Sequence, residues 1–261
     1  MLPSLPETPQ LLSENKCPAC FNMKLEAIPV TPEDESFADY WHQPYKNQQI
    51  DLYLSLNFSQ QWASFPGGRV KFGFRGGELI LKLDNSEIPF ESRELAGSIK
   101  LSKSISTARQ ESEAEKAPDD LKATKQASNA FDISNPLAKE SFDVRQNSLK
   151  TDNSQVSICR VTRRVSLEHP AWIFERERGK SVLQGSLHRS KLATLNVLAL
   201  PCQIEATFEV GRQDVCLTDA EGVWLPQSSR NKRAVLERLI IERLLEPKFR
   251  PFLSRGLLQY G

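Results

Sequence analysis

The chain has 261 residues, with 34 basic and 33 acidic side chains and a net charge of +1, so no global field draws it onto nucleic acid or an anionic surface. Its five cysteines (Cys17, Cys20, Cys159, Cys202 and Cys216) are an odd, scattered set, which argues against a disulfide-stapled secreted scaffold and for a reducing interior. The first residues lack the basic and apolar runs of a signal peptide, and no window approaches the ~18 apolar residues of a spanning helix. The expectation is a cytoplasmic protein with no membrane partner.

Residues 1–16 carry Pro3, Pro6 and Pro9 among polar residues and read as a flexible tail. Residues 17–102 form a first β block. It opens on Cys17-Pro-Ala-Cys20 and continues through Leu25–Val30 into an acidic, aromatic loop, Glu33 to Trp41. Ile50, Leu52, Leu54, Leu56 and Phe58 then fall on one face at period two, the mark of a half-buried strand. Pro66-Gly67-Gly68 is a turn signal, and Gly76-Gly77 reads as a hairpin turn pairing Val70–Phe74 with Leu79–Leu83. Gly97–Leu101 offers a short further strand.

Residues 103–155 are rich in Ser, Lys, Glu, Asp and Asn and poor in large apolar side chains, so they read as a disordered insertion. Phe131 and Phe142 sit there in two short apolar islands. Alternation resumes in a second β block, residues 156–226, expected to share one sandwich with the first. Its candidate strands begin at Val156 and run through Trp172 and Phe174, Val182–Leu187 and Leu192–Leu200, then from Ile204 to Val210, where Gly211 turns the chain into Val215 and Leu217. Residues 227–261 close the chain. Ser228 and Ser229 supply capping side chains, and Val235, Leu236, Leu239, Ile240, Leu244 and Leu245 recur at three- and four-residue spacing until Pro247. Short strands with almost no helix between them predict a mainly β fold. The expected architecture is an antiparallel β-sandwich or open barrel, with one C-terminal amphipathic helix covering a sheet.

Chemistry has few footholds. Cys17 and Cys20 have the two-residue gap that lets both thiolates reach one zinc ion, but the other half of a tetrahedral site is missing; a thiol or disulfide pair and a plain turn are the competing readings. Arg230 to Gly261 holds eight basic residues against three acids, which nominates Arg233, Arg238 and Arg243 for phosphate contacts. The interleaved glutamates equally describe an ordinary solvated helix. Asp214, Asp219 and Glu221 are too irregularly spaced for a calcium loop. No nucleophile–base pair or phosphate-cradling loop emerges, and no catalytic residue is nominated. Phe37, Tyr40 and Trp41, set among acids, are the candidate partner-binding anchors. The leading expectation is a non-enzymatic interaction protein that binds another protein or itself. One alternative is a nucleic-acid-associated accessory factor using a zinc knuckle and the basic C-terminal helix. The other is an enzyme whose site is assembled from residues distant in sequence.

Overall fold

Alternation governs the strands that build the body. In Gln49–Phe58 (β3), Ile50, Leu52, Leu54, Leu56 and Phe58 are buried and the residues between them are half-buried, as period-two patterning requires. The computed structural model describes residues 10–30, 48–102, 157–164, 169–179, 181–223 and 229–260. The insertion at 103–155 and the acidic loop with Phe37, Tyr40 and Trp41 lie outside the described residues.

The strands run in chain order as β1 (Gln10–Asn15), β2 (Phe21–Pro29), β3, β4 (Gln61–Phe65), β5 (Gly68–Phe74), β6 (Gly76–Asp84), β7 (Ser86–Glu87), β8 (Gly97–Leu101), β9 (Ser157–Arg164), β10 (Ala171–Arg178), β11 (Gly185–Val197), β12 (Cys202–Glu209), β13 (Val215–Glu221) and β14 (Ser254–Tyr260). Between β13 and β14 lie α1 (Arg230–Ile240), a π turn (Ile241–Leu245) and the short α2 (Glu246–Phe249). A seven-stranded sheet has the order β1-β14-β12-β6-β10-β9-β8, a four-stranded sheet β2-β3-β11-β7, and a three-stranded sheet β13-β5-β4. All pairings are antiparallel, and among the described residues none closes a barrel. Strands on either side of the insertion pair directly, β3 with β11 and β6 with both β10 and β12.

The two larger sheets meet face to face. Leu56, Phe58 and Leu187 of the four-stranded sheet face Leu101, Cys159, Val161 and Phe174 of the seven-stranded one. Phe208 of β12 stacks on Phe21 of β2 at 4.3 Å between centroids and touches Phe58 and Phe174 at 6.0 and 5.9 Å. Buried aromatic groups of this kind dominate core energetics and fix the sheets' relative placement.

Four expectations are corrected. Gln10–Asn15, read as tail, is an edge strand on β14, because its backbone finds an open partner edge. The hairpin of Val70–Phe74 with Leu79–Leu83 does not form: β5 pairs with β4 and β13, while β6 pairs with β10 and β12. Both edges of each strand are already occupied, so the chain crosses between sheets at Arg75, and Gly76 and Gly77 serve close approach instead of a turn. A Cβ on Gly76 would collide with the carbonyl of Phe174, and one on Gly77 with the Phe208 ring. Pro247 does not end the helical segment, since it falls in the first turn of α2, where a missing N–H costs nothing. Finally, α1 does not cover a sheet: from Arg230 to Leu239 every residue is exposed, and the segment joins the core through Leu245 and Phe249, with Ile240 buried and Ile241 packed against the core.

The true turn is Pro66-Gly67, joining β4 to β5 with Phe65 opposite Gly68. Gly67 there takes a φ of +106°, which favours glycine.

Candidate functional site

The amphipathic pattern of α1 has its apolar side turned outward. Ser229 caps the helix, its hydroxyl accepting from the Lys232 backbone N–H at 3.4 Å. Ala234, Glu237, Arg238 and Ile241, at the i, i+3, i+4, i+7 spacing of one helix face, line a groove of about 390 Å³ against Arg75, Arg212 and β13. The opposite face carries Val235, Leu236 and Leu239, followed by Leu244. Their exposures of 59, 37, 38 and 38 % make this the main cluster of exposed large hydrophobic side chains close together in sequence among the described residues. A contiguous exposed apolar stripe with charged neighbours marks an interaction site more often than a scattered hydrophobe does.

The charges of the segment are sorted by side. Glu242 pairs with Arg212 at 3.4 Å, Glu246 pairs with Arg250, and Glu237 lies on the groove side. Arg233, Arg238 and Arg243 are all exposed, and among the described residues no ion pair engages them. They do not form one front: five residues of helix turn Arg238 about 140° from Arg233.

A second feature is an open cleft of about 820 Å³ where the start of β6, the middle of β10 and the end of β12 meet. It gathers Glu78, Glu175, Glu209 and Asp214, with Arg250 on its rim. Glu78 and Glu209 stand directly opposite each other across β6 and β12, an unfavourable like-charge pair. Burial holds the Glu209 carboxyl above its usual range, and Glu78 adds to the shift. Burial likewise raises Asp214, against the lowering effect of the 2.8 Å hydrogen bond donated by the Gly211 N–H, and Glu175 pushes the same way as burial. Carboxyl groups of this kind can hold or release a proton nearer neutral pH than a solvated Asp or Glu.

The remaining nominated residues do not assemble a site. Cys17 and Cys20 are both buried and joined by a disulfide, with Cα atoms 5.6 Å apart, in the turn between β1 and β2. Sulfurs bonded to each other are not thiolate ligands, and among the described residues no group of three or more His, Cys, Asp or Glu side chains comes together to hold a metal. Asp214 is turned to Gly211, Asp219 to the N–H of Ala220, and Glu221 to Arg69, so these three acids do not converge. No helix among the described residues is long and apolar enough to cross a membrane.

Sequence reasoning located the α1 stripe residues but assigned them to the core; the counter-signal was the anchor set Ile240, Leu245 and Phe249 lying further along. The cleft left no local motif, since its acids come from β6, β10, β12 and the turn before β13. The fold and its surfaces define an antiparallel β-sandwich protein with an outward-facing C-terminal helix. Comparison with protein-family models, curated proteins and solved structures returns no match.

Proposed function

We propose that this chain is a non-enzymatic interaction protein that binds another protein, with α1 as its docking element. One observation carries the reading: Val235, Leu236 and Leu239 face away from the body that would otherwise bury them. The exposed part of these side chains, largest at Val235, leaves a share of the roughly 1.5–3 kcal/mol gained by burying such a side chain fully open to a partner. Helices that lay an apolar face into a partner present this i, i+3, i+4 spacing of anchors. A photo-crosslinking amino acid placed at Leu236 of the full chain in cells tests it, with Glu91, also exposed, as the control position. A discrete protein adduct at position 236, absent at 91 and abolished by Leu239→Asp, is expected. Identical labelling at both positions rejects the reading.

The cleft favours a second reading, an enzyme with a site built from residues distant in sequence. Its support is the pair of raised carboxyls, Glu209 and Asp214, facing one open space. Turnover of glycosidase, phosphatase or peptidase substrates by the parent and not by Asp214→Asn would carry it. No turnover across that panel removes it.

A further inference from the structure

We infer that the partner element is an acidic amphipathic helix, which packs its own apolar face on Val235, Leu236 and Leu239 and pairs its carboxylates with the cations around them. This rests on the docking reading of α1 given above, and it adds the chemistry of the occupant.

Charge complementarity selects the occupant. Lys232, Val235, Leu236 and Leu239 follow one another at i, i+3, i+4 and i+7 on α1, and Arg243 lies one turn beyond Leu239 within the π turn, so the apolar stripe has a cation near each end. Arg233 flanks it. Two of the segment's three acids are paired elsewhere, Glu242 with Arg212 and Glu246 with Arg250, and Glu237 lies on the groove side. The exposed face is therefore apolar along its middle and cationic around it. Flanking charges of this kind set partner choice and orientation between paired helices.

The same arrangement argues against a second copy. Two α1 helices paired antiparallel would set Lys232 against Arg243, and paired in parallel would set each cation against itself. Either way like charges meet across the contact. A bilayer is a poorer fit too, because the stripe offers three aliphatic side chains and no aromatic one, a small apolar area for interfacial binding. Nucleic acid would neutralise the cations and leave the stripe in water.

The experiment uses the full chain and two synthetic peptides of about 21 residues, three heptads each. Both carry Leu along one face; one is flanked by Glu and the other by Lys. Each exposed ion pair contributes roughly a factor of two in affinity, so three set a preference of about tenfold for the Glu peptide. Fluorescence anisotropy is expected to show that preference. It should shrink as salt rises from about 0.05 to 0.3 M and collapse in the triple variant Lys232→Glu, Arg233→Glu, Arg243→Glu. Binding of the Glu peptide should vanish in Leu236→Asp/Leu239→Asp.

Equal binding of both peptides, lost in Leu236→Asp/Leu239→Asp, overturns the acidic partner and leaves the docking stripe standing. So does a dimer in light scattering that Leu239→Asp disperses, or binding to vesicles one-third phosphatidylserine that exceeds binding to the Glu peptide. Failure of the Glu peptide to bind, or binding unchanged by Leu236→Asp/Leu239→Asp, overturns both readings. Circular dichroism of each variant confirms that the fold is retained, as expected for substitutions at exposed positions.

Discussion

Phe249 meets Phe74 edge to face, with ring centroids 5.4 Å apart and the planes at 79°, and also packs on Phe72 at 5.7 Å. This contact, made one turn beyond the π turn, ties the C-terminal segment to the three-stranded sheet, while α1 itself stays in water. Phe249→Ala is therefore expected to cost about 3–5 kcal/mol, the range for removing a buried phenylalanine. Leu239→Ala should stay within roughly 0.5 kcal/mol of the parent, as surface changes do. Urea unfolding of both variants checks the contrast. A Leu239→Ala loss comparable to that of Phe249→Ala would show that the stripe is packed after all.

Gly76 and Gly77 mark the crossing from the three-stranded to the seven-stranded sheet, and both approach neighbouring atoms too closely for a side chain. At Gly76 the obstacle is the backbone carbonyl of Phe174, which cannot swing aside as a side chain can. Gly76→Ala should therefore destabilise by about 2–3 kcal/mol or more through overpacking and strand displacement. Gly67 is the control: its turn is open, with nothing within 4 Å of an added Cβ, but its φ of +106° makes alanine strained. Gly67→Ala should cost about 1 kcal/mol. A larger loss at Gly67 than at Gly76 would contradict the crossing.

The cysteines give a chemical count. Cys159, Cys202 and Cys216 are free and buried, and Cys17 and Cys20 are joined. Burial pushes the Cys159 thiol up to about 12 and raises that of Cys202 as well, so neither supplies thiolate at neutral pH. Alkylation without reductant should be slow in the native protein and reach three thiols in denaturant, rising to five once the disulfide is reduced. Five thiols in denaturant without reductant would mean that Cys17 and Cys20 are free, which would return the zinc reading to consideration.

The legible part of the fold was what local periodicity dictates. Ile50 to Phe58 announces its buried face by alternation, Gly97–Leu101 its strand, and Ser229 to Leu245 its helix. Partnership was illegible. Val70–Phe74 and Leu79–Leu83 look like a hairpin because only four residues, Gly76 and Gly77 among them, separate them, yet β5 is already paired by its neighbour β4 and by β13, and β6 by β10 and β12, and β10, β12 and β13 come from far along the chain. The direction of the α1 stripe was hidden for a similar reason. Periodicity shows that Val235 and Leu239 share a face, but which face meets the body is decided further along, by Ile240 at the end of α1, Leu245 in the π turn that changes the helical phase, and Phe249 beyond it. The acidic cleft depends on β6, β10 and β12 and the turn before β13 coming together, which no window of sequence contains.

Asp214 provides a pH test of that cleft. Burial raises its carboxyl above the ordinary Asp value of 3.8, the hydrogen bond from the Gly211 N–H opposes the shift, and Glu175 reinforces it. A raised folded-state pKa means that, between the ordinary value and the raised one, the folded chain binds the proton that the unfolded chain has released. Stability therefore falls as pH rises through that window and levels off above it. At neutral pH the ionised group carries the whole penalty. Asp214→Asn removes the charge and keeps an oxygen able to accept from Gly211, so it should raise Tm at pH 7. The advantage should shrink as pH falls through that window and vanish well below 3.8, where the parent carboxyl is protonated in both states. Thermal unfolding of the two proteins across that range measures it. A constant difference at every pH would assign the effect to packing, and a loss of stability at pH 7 would show that the carboxylate is favoured in the folded cleft, against the burial and the Glu175 charge that surround it.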